Sequence, residues 1–257
     1  VTAVNNSDRA YQLTGINLKE NDIENATNLK LGLYNELDKK YDKIIYAPEG
    51  YEPVKVVKNR INHLIDHLEE QGELYIAGKK TGGSNRYKSH LQSQTGETKK
   101  LTQEGKQRIY RYTKKGDFEP EKLEIETEFT AELDILELDI IACEGLFSPK
   151  QLDDGSKLLI ENLDLSKEDQ VLDLACGYGI IGIFLYKKYG SEIYLTDDNA
   201  IATYYAEKNL KANDVENYIL KNKDCLDGFK DQKFDAIVSN PPTHQGENIT
   251  REMFERS

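Results

Sequence analysis

Two stretches of this chain repeat one another, and no other feature limits the possible folds as tightly. Asn17-Leu18-Lys19-Glu20-Asn21-Asp22-Ile23-Glu24-Asn25 recurs as Asn209-Leu210-Lys211-Ala212-Asn213-Asp214-Val215-Glu216-Asn217, with seven of nine positions identical and Ile23/Val215 a conservative exchange. Downstream, Tyr41-Asp42-Lys43-Ile44-Ile45-Tyr46-Ala47-Pro48 matches Phe234-Asp235-Ala236-Ile237-Val238-Ser239-Asn240-Pro241, with one residue inserted between the blocks. Similarity of this length and order reads as an internal duplication. In each copy a helix with an Asn-Asp stop leads, through a short strand and turn, into an apolar strand ending at proline.

The second copy shows the alternation most clearly. Strands are expected at Gln170–Leu174, Glu192–Thr196, Tyr218–Asn222 and Phe234–Ser239, with helices at Ile180–Lys188 and Ala200–Ala212. Strands alternating with helices of about ten residues imply an α/β fold with a parallel, doubly wound, Rossmann-like sheet. In the first copy the chain enters near the end of the second strand. It continues with a helix Asp8–Glu20, a strand Lys43–Tyr46 and a helix Val54–Gln71 striped by Val57, Ile61, Leu64, Ile65 and Leu68. A strand Glu73–Ala77 and a strand-like pair near Thr98–Leu101 and Arg108–Tyr112 follow. Gly, Pro and charges cluster at Lys115–Lys122 and suggest a linker, giving two tandem domains, 1–117 and 118–257. The first lacks an opening strand and helix, and the second stops after its fourth strand. Both domains are therefore expected to be truncated, and the parent protein to extend in both directions.

Charge is distributed unevenly along the chain. The net charge is −12, yet between Lys79 and Lys115 eleven Lys or Arg face two Glu. That segment suits a polyanion, although a solvated lysine-rich surface has the same composition. The three cysteines, Cys143, Cys176 and Cys225, are too widely spaced for a zinc motif or a disulfide framework, which fits a reducing, cytoplasmic setting. No apolar run approaches the ~20 residues of a membrane span. His63 and His67 stand four apart on a helix without the glutamate of a zinc-protease motif, so a surface pair is expected there and no metal site.

The second copy concentrates the chemistry. Val171-Leu172-Asp173-Leu174-Ala175-Cys176-Gly177-Tyr178-Gly179 is an apolar strand breaking into a glycine turn before a helix, an arrangement that lets a ligand approach backbone and helix amides closely. Asp197 closes the next strand, where a carboxylate can accept from a ribose diol, and Asp224 ends the third, placed for an adenine amino group. Ser239-Asn240-Pro241-Pro242 ends the fourth. Proline donates no N–H, so an amide oxygen and a stiff carbonyl stand side by side, able to hold an exocyclic –NH₂ by both hydrogens.

These elements, in this order, resemble the motif set of class I methyltransferases acting on amino nitrogens. The degenerate first copy, Glu144-Gly145-Leu146-Phe147-Ser148 and Leu152-Asp153-Asp154-Gly155-Ser156 narrow the resemblance to bacterial-type rRNA guanine-N2 methyltransferases. Those pair a non-catalytic N-terminal domain with a catalytic "methyltransferase small" domain. The resemblance implies S-adenosylmethionine as cofactor, ribosomal RNA or a ribosomal subunit as partner, and a monomeric protein without a metal. It implies a catalytic turn of Asn240, Pro241 and Pro242, and a cofactor site of Asp173, Ala175, Cys176, Gly177, Gly179, Asp197, Asp224, Cys225 and Phe147. Thr243 and His244 would face substrate. Ala175 replaces the usual first glycine. Thr243 replaces an aromatic whose stacking on a base is worth roughly 1–3 kcal/mol, which puts the target in doubt more than the reaction.

The first copy has lost the matching chemistry: Asn5 aligns near Asp197, Leu31 opposite Asp224 and Ala47 with Asn240. Its basic segment, with Lys79, Lys80 and Arg86 among Tyr87, Tyr110 and Tyr112, is expected to bind RNA phosphates. An N-methyltransferase acting on DNA adenine or protein glutamine, and a non-catalytic RNA-binding protein, remain as alternatives.

Overall fold

A computed structural model describes residues 1–32, 37–48, 52–80, 83–116, 118–133, 136–167, 169–241 and 251. The chain begins with β1 (Thr2–Asn5), α1 (Asp8–Glu20), β2 (Thr27–Lys30), β3 (Tyr41–Tyr46), α2 (Val54–Asp66) and β4 (Leu68–Lys79). There follow α3 (Ser84–Gln92), β5 (Gly96–Glu104), β6 (Gln107–Lys114), β7 (Glu126–Leu133), β8 (Leu136–Cys143) and α4 (Asp154–Asn162). The last described elements are β9 (Val171–Leu174), α5 (Ile180–Tyr189), β10 (Ile193–Asp197), α6 (Ala200–Ala212), β11 (Tyr218–Asn222) and β12 (Ala236–Val238). Contacts gather them into two compact units, residues 1–33 with 126–257, and residues 34–125.

The first unit is built on the parallel sheet β11-β10-β9-β12. β9 is apolar apart from Asp173 and wholly buried, as a strand covered on both faces must be. From β9 the chain winds outward through α5, β10 and α6 to β11, then returns to the other side of β9 as β12. The winding reverses between β9 and β12, and at such a switch point the loops leaving the strands' carboxyl ends open a crevice. α5 is apolar almost all round, with Ile180 through Leu185 buried, and stops at Gly190 in the left-handed region. The unit also holds an antiparallel hairpin, β7–β8, and the parallel pair β1–β2.

The repeated sequence has repeated local structure. α1 and α6 are both thirteen residues long, N-capped by Ser7 and Asn199. Both stop at an Asn-Asp pair whose aspartate takes a left-handed φ, 54° at Asp22 and 52° at Asp214. β1–β2 and β10–β11 are parallel pairs in the same register, Asn5 opposite Lys30 and Asp197 opposite Asn222. The copies also meet each other: Ser7 bridges Asn199, Asp8 N–H donates to the Asp198 carbonyl at 2.9 Å, and Ala200 N–H donates to the Asn6 carbonyl at 2.7 Å. Ser7 and Asn199 are equivalent by repeat position, and the two hydrogen bonds are each other's equivalents, the geometry of a two-fold contact between identical subunits. This contact explains why residues 1–33 group with 126–257 rather than following the repeat boundary at 117/118.

The second unit holds the mixed sheet β3-β4-β6-β5. β3 and β4 are parallel, but β6 runs antiparallel to both β4 and β5, so this part of the first copy is not the wholly parallel sheet expected. The two-residue connection between β5 and β6 allows only antiparallel pairing. α2 is shorter than its sequence suggests. Its stripe continues to Leu68, but Tyr41 N–H donates to the His67 carbonyl at 2.8 Å and Leu68 pairs with Tyr41, so the helix gives way to β4 at Leu68, with a register irregularity before Glu73.

Candidate functional site

The crevice at the switch point is bordered by the turn after β9. Ala175, Gly177 and Gly179 there take φ of 59°, 56° and 87°. A left-handed φ strains alanine by about 1–2 kcal/mol, so Ala175 holds a glycine-like conformation at a cost. A Cβ placed on Gly177 would meet nothing within 4 Å, so this glycine serves backbone conformation beside open space. A third glycine, Gly182, has the packing role: a Cβ there would lie 2.7 Å from Leu195 Cδ2, and its absence lets α5 sit on β10. Cys176 is buried, its N–H donating to the Thr196 carbonyl at 3.0 Å.

Three carboxylates stand along the same strand ends. Asp173, in the middle of β9, accepts the Gly182 N–H on Oδ2 at 3.1 Å, while its Oδ1 is buried with no hydrogen-bond partner. Burial, with Asp197 adding like charge, pushes Asp173 up to about 7. Asp197 accepts the Gly177 N–H on Oδ2 and the Asn199 N–H on Oδ1, both at 2.9 Å. It thereby ties the glycine turn to the start of α6, and burial raises it to about 6. Asp224, beyond β11, is buried and ion-paired by Arg9, with Nε 3.0 Å from Oδ2 and Nη2 3.4 Å from Oδ1. Its backbone N–H donates to Asp8 Oδ2 at 3.3 Å, and the Cys225 thiol lies 3.3 Å from its Oδ1. The first copy, stripped of its own acidic positions, thus supplies the dipeptide that holds Asp224.

On the opposite side of β9 lies the turn after β12. Ser239 Oγ donates to the Leu174 carbonyl at 2.7 Å, fastening this turn to the strand that carries the glycine turn. The next residue, Asn240, directs its amide NH₂ to Asp153 Oδ2 at 2.8 Å and to Ser156 Oγ at 2.9 Å, at the start of α4. Phe147 is 51 % exposed, and the adjoining Ser148 carbonyl accepts from Tyr178 Oη at 3.1 Å. This bond brings the Phe147-Ser148 turn up to the glycine turn. The structure therefore assembles Asp173, Ala175, Cys176, Gly177, Gly179, Asp197, Asp224, Cys225, Asn240 and Pro241 along one edge of the sheet. Pro242, Thr243 and His244 lie outside the described residues.

The profile of one family, the methyltransferase small domain, matches residues 1–111 and 137–257. The chain belongs to the methyltransferase small domain family. Among curated members, the ribosomal RNA small subunit methyltransferase C of Pseudomonas entomophila is 33 % identical over 207 residues, covering 79 % of this chain and 60 % of that protein. Its namesake in Acinetobacter baumannii is 32 % identical over 209 residues, covering 79 % and 60 %. The chain thus spans somewhat over half the length of the curated relatives it matches. Among solved structures, a T. thermophilus 16S rRNA N2 methyltransferase in complex with AdoMet and guanosine superposes with a TM-score of 0.87 at 24 % identity, covering 98 % of this chain and 68 % of that one. At that identity the likeness establishes the tandem fold.

Several residues of this family member's site escape a reading of its sequence. Asn209, fully buried in α6, donates to the Ile141 carbonyl at 2.8 Å and the Tyr178 carbonyl at 2.9 Å, and accepts the Ile141 N–H at 2.8 Å. It clamps β8 and the glycine turn together. Its counterpart Asn17 is exposed, so repetition alone hides the role. Arg9 and Asp8 are likewise recognisable only from contacts distant in sequence, and Asp153 and Ser156, although part of a motif segment, show their role only through their contacts with Asn240.

The basic segment of the second unit requires a correction. Tyr87, Tyr110 and Tyr112, expected among the RNA-facing residues, are 1 %, 1 % and 0 % exposed. Side chains alternate along β6, so Tyr110 and Tyr112 point inward while Arg111 points out to Glu73 at 3.1 Å. The tyrosines pack with Ile61, Ile65, Leu74 and Leu91 as core. Lys114 is also buried, donating to the Ile65 and Leu68 carbonyls. What remains outside is a cationic end of the sheet. Lys79 and Lys80 leave β4 exposed, Lys80 N–H donates to the Lys106 carbonyl at 2.8 Å, and Arg108 pairs with Gly78 in register and contacts Asn85 next to the exposed Arg86. No helix among the described residues is long and apolar enough to cross a membrane.

Proposed function

We propose that this protein transfers a methyl group from S-adenosylmethionine to an exocyclic amino nitrogen, guanine N2 of ribosomal RNA, in the cytoplasm. One observation carries the reading: the glycine turn after β9 and the Asn240-Pro241 turn after β12 flank a single switch point, with Asp197 and Asp224 along the same edge.

The residues fit the cofactor. Asp173 Oδ1, buried without a partner, is an acceptor that the cofactor's ammonium, or a water bridging to it, would satisfy. Gly177 leaves open space where a backbone must approach a ligand. Asp197 would hold the ribose diol, Asp224 the adenine amine, and Phe147 would cover one side beside Cys176 and Cys225. When bound, the cofactor would supply an electrophilic methyl on a sulfonium, for which the target amine would be the nucleophile, with its surplus proton passing to water. Asn240 and the Pro241 carbonyl would grip the amino group of a base turned out of its RNA stack, with Pro242, Thr243 and His244 on the substrate side. Their contribution is positioning. The exposed cluster of Lys79, Lys80 and Arg86 would add phosphate contacts without sequence choice.

Titration of S-adenosylmethionine tests the site. Removing the Asp197 carboxylate deletes charge-assisted hydrogen bonds, so Asp197→Ala is expected to weaken binding by about 10- to 100-fold. Unchanged affinity would overturn the assignment of this edge.

The raised carboxylates predict a pH dependence for the same binding. A cationic or hydroxyl partner favours ionised Asp173 and Asp197, which stand near 7 and 6 when cofactor-free, so binding must expel their protons. Affinity should therefore rise roughly tenfold or more between about pH 5.5 and about pH 7, then level off. The stability of the cofactor-free protein should move the opposite way. Groups with raised folded values stabilise fully below the unfolded value near 4 and lose that contribution as pH rises through 6 to 7. Calorimetry across this range in two buffers of different ionisation enthalpy reads both affinity and proton release. A flat profile with no proton release would show that the carboxylates do not meet the cofactor.

A further inference from the structure

We propose that Asp153 and Ser156 are positioning residues for the transfer, locking the Asn240 amide so that its carbonyl oxygen, and not its NH₂, is presented to the amine. The inference rests on the reading of Asn240 given above and names the groups that set its orientation.

An asparagine amide can sit either way round, and its neighbours decide which. Here Asn240 Nδ2 lies 2.8 Å from Asp153 Oδ2 and 2.9 Å from Ser156 Oγ. An ionised carboxylate accepts hydrogen bonds and donates none. Flipping the amide would set its carbonyl oxygen 2.8 Å from a carboxylate oxygen, so both N–H bonds are spent on α4. Among the described residues Oδ1 accepts no hydrogen bond, which leaves it as the one polar atom of the side chain available to a donor. A guanine amino group offers such a donor. A carboxylate against the NH₂ also polarises the amide and makes that oxygen a stronger acceptor.

The orienting groups are themselves held. Asp153 caps α4, the same Oδ2 accepting the Ser156 N–H at 3.0 Å, so its rotamer is fixed by the helix start. Gly155 gives the amide room: a Cβ there would come 3.0 Å from Asp153 Oδ2 and 3.4 Å from Asn240 Oδ1. The segment Leu152-Asp153-Asp154-Gly155-Ser156 thus has a chemical reason for an acid, a small residue and a hydroxyl at these spacings.

The test combines transfer kinetics on ribosomal RNA with the side-chain amide NMR signals of Asn240. Asp153→Ala is expected to lower kcat about tenfold or more, with KM for cofactor and RNA within about twofold. The Asn240 amide protons should move upfield and exchange faster. In an Asn240→Ala background, Asp153→Ala should cause no further loss of kcat, because there is no amide left to orient. Ser156→Ala keeps the helix cap while removing one acceptor, and should produce a smaller loss of kcat with the same spectral shift. It carries the test should Asp153→Ala fail to fold. Full kcat in either variant, unmoved Asn240 signals, or an equal further loss in the Asn240→Ala background would each overturn the proposal. Turnover retained by Asn240→Ala alone would instead overturn the reading of Asn240.

Discussion

Asn240→Ala is expected to lower turnover by about 10²- to 10³-fold, the usual consequence of deleting one preorganised polar group that meets the reacting atoms. Cofactor affinity should stay within about twofold of the parent. The distinction follows from where the side chain is anchored. Asn240 hydrogen-bonds to Asp153 and Ser156 on α4, whereas Asp173 and Asp197 are held by Gly182, Gly177 and Asn199. Truncation should therefore leave the glycine turn and its carboxylates undisturbed. Asn240→Asp sharpens the test, because it sets a second carboxylate against Asp153 and preserves shape without preserving the donors. Single-turnover methyl transfer to ribosomal RNA, run beside a cofactor titration, separates the two effects. Turnover near the parent level in Asn240→Ala would remove the turn from the chemistry. Loss of cofactor binding and turnover together would make Asn240 a structural residue.

Legibility in the sequence depended on how local the determining physics was. β9, β10 and β11 are short apolar runs flanked by turn residues, and α6 ends at an Asn-Asp stop. Their bounds fall within a residue or two of expectation, and those of α6 and β11 coincide with it. The glycine turn was visible because its backbone needs particular residue types in one continuous stretch. Contacts between distant positions were not. Residues 68–71 have a helical composition, yet Leu68 pairs with Tyr41 of β3 and Gln71 takes a left-handed φ of 63° in the irregular register that follows. Tyr110 and Tyr112 share a basic stretch with Arg111, and only the strand's two-residue period separates the core face from the solvent face. Arg9 and Asp224 lie 215 positions apart, and Asn240 and Asp153 lie 87 apart, so no local pattern joins them. The fold and the turns that end its strands were thus open to sequence reasoning, whereas the partners that orient the side chains on those turns were not.

The largest expected loss of stability comes from Asp8, a residue with no part in the proposed chemistry. It is fully buried at the start of α1, with Oδ1 2.5 Å from Lys30 Nζ and 3.5 Å from Lys223 Nζ. Its Oδ2 accepts from Gln12 at 2.5 Å and from the Asp224 backbone at 3.3 Å. Its counterpart in the other copy is Ala200, so the charge marks where the copies diverged around their shared contact. Breaking a buried pair costs about 3–5 kcal/mol, and the partial exposure of Lys30 argues for the lower end. Asp8→Ala should therefore destabilise the protein by about 3 kcal/mol, read as a lower urea midpoint. Burial alone would raise the Asp8 carboxyl, but hydrogen bonding and charge from Lys30 bring it below its ordinary value. A lowered folded value stabilises fully above the unfolded value near 4 and is lost as pH falls through the folded one, so the parent should lose stability on acidification more steeply than Asp8→Ala. Equal midpoints, or parallel acid profiles, would mean the network adds nothing net. Because Asp8 holds the backbone of Asp224 and the adjoining Arg9 holds its side chain, the same substitution should also weaken S-adenosylmethionine binding. That result would make the first copy, devoid of its own cofactor chemistry, a structural part of the second copy's site.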